Sequence, residues 1–407
     1  MTTTIHLPGF NAPIKTWLPV EEIEPGALEQ LYNAAKHPEV GPVVVAMPDT
    51  HVGYGVTIGC VFPTVKAIIP NAVGVDIGCG MCAINTGIKY DRDRMDKTFW
   101  RAWSGNVARN VPTGFTWHKD PQDLGVLDRA LRATELQSLI NDKAAFQLGT
   151  LGGGNHFLEA QYDEAGSIWL MVHSGSRHTG LRIANYYHKK AIDITHRRSL
   201  VVGDDLSSLP LDDQLGQDYL HDMTWATDFA LESRRKMLLE MHKVFAQSCE
   251  AIDRHIHPSA NSNPAEDFIN SHHNFAGLEE HAGQQVMVHR KGATSAFEGQ
   301  LGIIPGSMGS NSYIVRGKGN EESLKSCSHG AGRRMGRKAA QREITEAAFA
   351  ASLDGTYSKP SMTYVDEAPG AYKDVTVVIG RQADLVDIVH TLKPIITVKG
   401  DSRAKED

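Results

Sequence analysis

The densest reactive stretch is Gly74-Val75-Asp76-Ile77-Gly78-Cys79-Gly80-Met81-Cys82. A carboxylate and a thiol three residues apart, flanked by glycines, can turn both side chains toward one ion. A soft thiolate beside a hard carboxylate suits manganese, iron or zinc better than magnesium. Cys79 and Cys82 also admit a redox pair, or two small buried core residues. A second stretch, Leu151-Gly152-Gly153-Gly154-Asn155-His156, supplies glycines that let backbone approach an anion, and Glu159 follows. The plainer reading of this stretch is a surface loop. In the third, the apolar run Met171-Val172 ends at His173, a placement that suits a ligand at a strand terminus, with Arg177 in reach of a phosphate. His272-His273-Asn274 is a fourth; adjacent strand residues face opposite ways, so one histidine at most should serve a given site. The last is Ser326-Cys327-Ser328-His329-Gly330-Ala331-Gly332-Arg333, with Arg337 beyond. A helix starting near Arg333 would put both arginines on one face beside a phosphate-favouring N-terminus, next to an imidazole able to attack phosphorus. A solvated basic helix start is the alternative. Asp76, Cys79, His156, His173 and His273 exceed the needs of one tetrahedral ion, and a shared thiolate could bridge two. The residues alone therefore indicate a phosphoryl- or nucleotidyl-transfer metalloenzyme.

These groups must be positioned by elements whose textures alternate. Residues 41–87 and 285–317 are short β-branched runs broken by glycine and proline, including Val43-Val44-Val45, Val73-Gly74-Val75 and Ile303-Ile304, and predict buried strands with functional turns. Met223, Ala226, Ala230, Met237, Met241, Val244 and Phe245 recur at helical spacing between Asp212 and Ile256. A helix over Leu181–His196 precedes this region, making a helical excursion of about residues 181–257. Another helix is expected after Arg333, and strands return at Val375–Ile379 and Ile395–Val398. Strand and helix do not alternate regularly, and neither a dinucleotide nor a P-loop glycine signature occurs. The motifs run from residue 49 to residue 399, so one site draws on the whole chain: an α+β protein, one domain over residues 1–407 with mixed sheets.

The totals bound the setting. The chain has 407 residues, 41% of them hydrophobic, enough for a large core. No apolar run approaches a membrane span. An odd count of five cysteines argues against a disulfide framework and for a reducing compartment, hence a cytoplasmic protein. The net charge of −7 excludes a protein that coats nucleic acid, so any nucleic-acid contact should be local to the reaction centre.

Taken in order, the motifs resemble the RtcB family, the RNA-splicing ligases that join a 3′-phosphate or 2′,3′-cyclic phosphate end to a 5′-hydroxyl end. The resemblance runs through Met47-Pro48-Asp49-Thr50-His51-Val52-Gly53, the Asp76–Cys79 and Gly153–Phe157 stretches, and His173–Arg177. It continues through His272–Asn274, Pro305-Gly306-Ser307-Met308-Gly309, Ser328–Arg333 and Val398-Lys399-Gly400. It implies two manganese ions, one on Asp76, Cys79 and His156, the other on Cys79, His173 and His273. It implies that His329 takes GMP from GTP, and that Glu159, Ser312 and Lys399 contact the guanine nucleotide. Asn155, His273, Asn274, Pro305, Gly306, Ser307, Met308, Gly330, Ala331 and Gly332 would help to cradle that nucleotide. Asp49, Arg177, Arg333 and Arg337 would serve the RNA ends. His178 and Cys82 depart from the pattern, the first where RNA fit could change, the second where a nearby thiol could trap an oxidised Cys79. A phosphodiesterase using the same ligands with water as nucleophile, and a redox module built on Cys79 and Cys82, are the competing readings.

Overall fold

The computed structural model describes residues 2–127, 129–253 and 268–400. Two sheets dominate it. The first has six strands, in the order Thr3–Ile5, Ile14–Thr16, Val44–His51, Ile58–Thr64, Gln284–Lys291 and Asn274–His281. The second has seven: Ile269–His272, Gly80–Lys89, Ser167–Ser174, Phe157–Tyr162, Val386–Val398, Ser312–Gly317 and Leu301–Ile304. Among the described pairings only Ile14–Thr16 with Val44–His51 is parallel, so the order is not that of a doubly wound α/β fold. Ser326–Ser328 pairs separately with Ala293–Ser295. The architecture is α+β.

The chain passes from one sheet to the other across a single residue, His273, between Ile269–His272 and Asn274–His281. His273 N–H donates to the Cys79 carbonyl at 2.9 Å, and its own carbonyl accepts from Ala293 N–H at 3.2 Å. The seam between the sheets is thus tied to the Asp76–Cys79 turn.

The helices back this seam. Arg177–Arg197 starts four residues earlier than its apolar pattern suggests, and Gln214–Ile252 runs for 39 residues. Asp213 caps the latter by accepting from Leu215 N–H. Met223, Ala226, Ala230, Met237, Met241, Val244 and Phe245 are all buried, as their spacing predicts. Between the helices Leu209–Pro210 pairs with Ala67–Ile68, so the excursion is not wholly helical, and residues 254–257 of its expected end lie outside the described residues. No helix among the described residues is long and apolar enough to cross a membrane.

Three local expectations give way. Val375–Gly380 is a helix, not a strand: Asp374 caps Thr376 N–H, and Val375, Val378 and Ile379 are buried at helical spacing while Val377 is exposed. Capping and burial outweigh the β preference of the valine run. Val73 closes a short helix, Pro70–Val73, and Val75 lies in the turn that follows. The helix expected near Arg333 starts at Arg337, after Gly336, because Arg333 is held in a β-bridge with Tyr372.

Candidate active site

The five proposed metal ligands converge. Cys79 Sγ lies 3.5 Å from His156 Nε2 and 3.4 Å from His173 Nε2. His156 Nε2 is 3.1 Å from Asp76 Oδ2, and His173 Nε2 is 3.4 Å from His273 Nε2. They form two sets that share Cys79, namely Asp76–Cys79–His156 and Cys79–His173–His273. The Leu151 carbonyl faces His156 Nδ1 at 3.0 Å, which leaves Nε2 as the ligand nitrogen. His273 Nδ1 is buried without a hydrogen-bond partner. Burial holds the pKa of His173 and of His273 well below the ordinary histidine value, favouring the neutral rings that ligate metals. Burial raises the Asp76 carboxyl, but the His156 contact and the nearby Arg177 outweigh it and bring Asp76 down to about 2. The donor set of one carboxylate, one shared thiol and three imidazoles fits a pair of divalent ions.

Local sequence explains this convergence. Gly175 has no Cβ because one there would lie 2.1 Å from Asp76 Oδ1, and Ser176 N–H donates to that oxygen at 2.9 Å. Gly152 is at φ +84°, and a Cβ would fall 2.0 Å from the Arg177 guanidinium. That glycine therefore makes room for an arginine, not for an anion. Arg177, expected at the RNA ends, is buried between Asp76 and Gly114 O, the latter at 3.4 Å. The adjacent histidines part as predicted: His273 joins the ligands, while His272 Nδ1 lies 3.0 Å from Arg234.

His329 sits beside this centre, its ring centroid 4.9 Å from that of His273. Its Nδ1 lies 2.6 Å from Asp49 Oδ2, off the ideal hydrogen-bond line. The same oxygen accepts from the backbone N–H of His329 at 3.2 Å and of Gly330 at 3.4 Å. Burial pushes the Asp49 carboxyl up, but the His329 imidazole outweighs it and keeps it below the ordinary carboxylate value. Asp49 is wholly buried, so it orients the imidazole; the expectation that it meets RNA gives way to this.

A cavity of about 460 Å³ opens next to His329. Asn155, Glu159, the Pro305–Met308 turn, Gly330–Gly332, Arg333, Arg337 and Lys399 line it. Three residues expected to touch a nucleotide stand outside its lining. Ser312 Oγ accepts from Gly306 N–H and Gln161 one layer back, Asn274 ties the Asp76 carbonyl to Gly292 N–H, and His273 lies among the metal ligands. At the inner end Glu159 accepts from Thr397 Oγ1 at 2.6 Å and from Gln161. Burial raises its pKa to about 7, against the pull of Thr397, Gln161 and Lys399.

Arg333 and Arg337 do meet, through a carboxylate and not a shared helix face. Glu367, almost fully buried, pairs with Arg337, with Arg333 at 3.4 Å and with Lys399 at 3.5 Å, and accepts from Tyr372 OH at 2.5 Å. Sequence reasoning misses Glu367, because its partners come from distant segments. It also misses Arg234, for which a signal exists: this charge continues the apolar stripe of the long helix at i+4 from Ala230. A charge in a core stripe must be matched by buried acceptors. Arg234 Nη1 donates to Gly78 O and Ser174 O, each at 2.8 Å, and Nη2 to Asn270 Oδ1 at 2.9 Å. Cys82 lies away from the ligands, in the apolar core with its Sγ 3.3 Å from Asn270 Oδ1.

A carboxylate-held imidazole next to two potential metal-ligand sets sharing a thiol, on an α+β frame, is an arrangement suited to metal-assisted group transfer. The sequence matches the family described as "tRNA-splicing ligase RtcB" over residues 30–136 and 121–400. It is 37% identical to the RNA-splicing ligase RtcB of Escherichia coli K12 across 96% of this chain and 98% of that one. It is 32% identical to the tRNA-splicing ligase RtcB of Thermococcus kodakarensis, across 92% and 91%. The RNA-splicing ligase RtcB of Mycobacterium tuberculosis is 30% identical, across 91% and 100%. The chain belongs to the RtcB family of RNA ligases.

Proposed function

We propose that this protein is a GTP- and manganese-dependent ligase that joins RNA 3′-phosphate or 2′,3′-cyclic phosphate ends to 5′-hydroxyl ends through a guanylated His329, acting as one unit across the whole chain. The observation that carries the reading is His329 itself, held at Nδ1 by Asp49 and set between the ligand cluster and the cavity. A hydrolase using the same ligands has no need of such an imidazole.

In this reading Nε2 attacks the α-phosphorus of GTP, a P–N bond forms and pyrophosphate leaves. A cyclic phosphate end is opened by water to the 3′-phosphate. An oxygen of that phosphate then attacks the histidine-bound phosphorus, breaking the P–N bond and yielding an RNA end capped by GMP through a pyrophosphate. The 5′-hydroxyl attacks the RNA-side phosphorus, and GMP leaves as the phosphodiester forms. Asp76, Cys79, His156, His173 and His273 would hold two manganese ions, which when bound offset negative charge on the phosphoryl oxygens. Asp49 fixes the ring, Glu159 accepts from the guanine edge, and Lys399, Arg333 and Arg337 offer positive charge along the cavity. Five unpaired buried thiols fit the reducing cytoplasm.

Incubation with α-labelled GTP and manganese should leave an acid-labile, hydroxylamine-sensitive label on the protein and none on His329→Ala. Equal labelling of that variant would remove the claim. Opening of cyclic phosphate without GTP consumption or joined product would favour the hydrolase.

A further inference from the structure

Of the six tryptophans, Trp17, Trp100, Trp103, Trp169 and Trp225 are buried, while Trp117 is 39% exposed. It sits two residues from Phe115, itself 37% exposed, in the loop of residues 112–119, which lies outside the lining of the nucleotide cavity. A tryptophan with part of its ring in solvent offers an apolar face with a polar N–H, the kind of side chain enriched at contact surfaces.

The loop is joined to the ligand cluster. Leu151 N–H donates to Pro112 O at 2.9 Å and Gly114 N–H to Gly152 O at 2.8 Å, and the Leu151 carbonyl is the one that faces His156. A chain of polar side chains leads the same way. Asp76 is the one metal ligand with an appreciably open side chain, 30% exposed. Arg177 lies beside it and reaches the Gly114 carbonyl. The next residue, His178, lies 3.3 Å from Lys143 Nζ, and that ammonium stands over the Trp117 ring at 5.8 Å from its centroid.

We propose that this loop is a landing surface for single-stranded RNA beside the end being joined, with a base stacked on Trp117 and a backbone phosphate at Lys143. An exposed ring with a cation over one face offers the pairing single strands take: stacking for the base, charge for the phosphate. Continuity with the open ligand Asp76 favours the RNA substrate over a protein partner. The proposal rests on the ligase reading above.

Because five of the six tryptophans are buried, fluorescence quenching by RNA reports on Trp117. A short single-stranded RNA with a 3′-phosphate should quench the full-length protein. Trp117→Ala should bind that RNA about tenfold more weakly, keep normal GTP labelling of the histidine, and regain affinity as Trp117→Phe. Unchanged RNA affinity in a Trp117→Ala protein that labels normally would overturn the landing surface and leave the ligase reading intact. Equal quenching by polyphosphate, which has no bases, would overturn the stacking. A parent protein that takes no label would sink the ligase reading, and this proposal with it.

Discussion

Asp49 and Glu159 show how burial assigns different work to two carboxylates. Asp49 accepts from two backbone N–H groups and faces an imidazole, so it stays ionised and fixes a ring. Asp49→Asn should keep the fold yet slow GTP labelling by about 100-fold through loss of alignment; a rate within a few-fold of the parent would argue against the orienting role. Glu159 has weaker help, and burial lifts it to about 7. In the nucleotide-free protein it is increasingly protonated as pH falls below that value, and a protonated carboxyl is a poorer acceptor for guanine N–H groups. GTP affinity should therefore fall as pH drops from 8 to 6, and Glu159→Gln should bind more weakly with a flatter profile. Calorimetric titration across that range is the check, and an unchanged slope in the variant would refute it. Residue types were legible from sequence here, but orientation was not: Asp49 and Arg177 lie buried against His329 and Asp76, because charge says nothing about which side of a side chain faces water.

At the scale of elements, the long helix contributes more than an apolar backing. Arg234 spans three ligand-bearing segments, touching Gly78 next to Cys79, Ser174 next to His173, and Asn270 and His272 next to His273. Arg234→Met preserves bulk but leaves those buried acceptors unmatched, at about 1–3 kcal/mol each. Metal content should fall below that of the parent by elemental analysis, with a lower melting temperature; full metal loading would show that the turns hold their own shape. The helix itself was readable from its stripe, and the strand carrying His173 from its apolar run. The Val375–Gly380 helix was not, since one capping aspartate and a choice of buried face decided against a β-branched run. The joining of Arg333 and Arg337 was also hidden, because it depends on Glu367, which arrives from a separate segment.

For the whole molecule, net charge sets how substrate is held. With a charge of −7, RNA affinity has to come from few phosphate contacts. A plot of log affinity against log salt should have a slope of about −2 to −3, the value for three or four phosphates on a single strand; a slope steeper than about −6 would demand a basic tract that the chain lacks. One-domain organisation followed from the spread of the motifs, but the crossing of the sheets did not, because nothing in His272-His273-Asn274 announces a change of sheet. That crossing works as a rivet. An ion held by His273 would bear on the last link of one sheet and the first of the other, so neither could open alone while it stayed bound. With the proposed ions bound, chelation should therefore raise amide exchange in Asn274–His281 and Ile269–His272 together, tying the durability of the fold to the metal supply that the proposed chemistry would use.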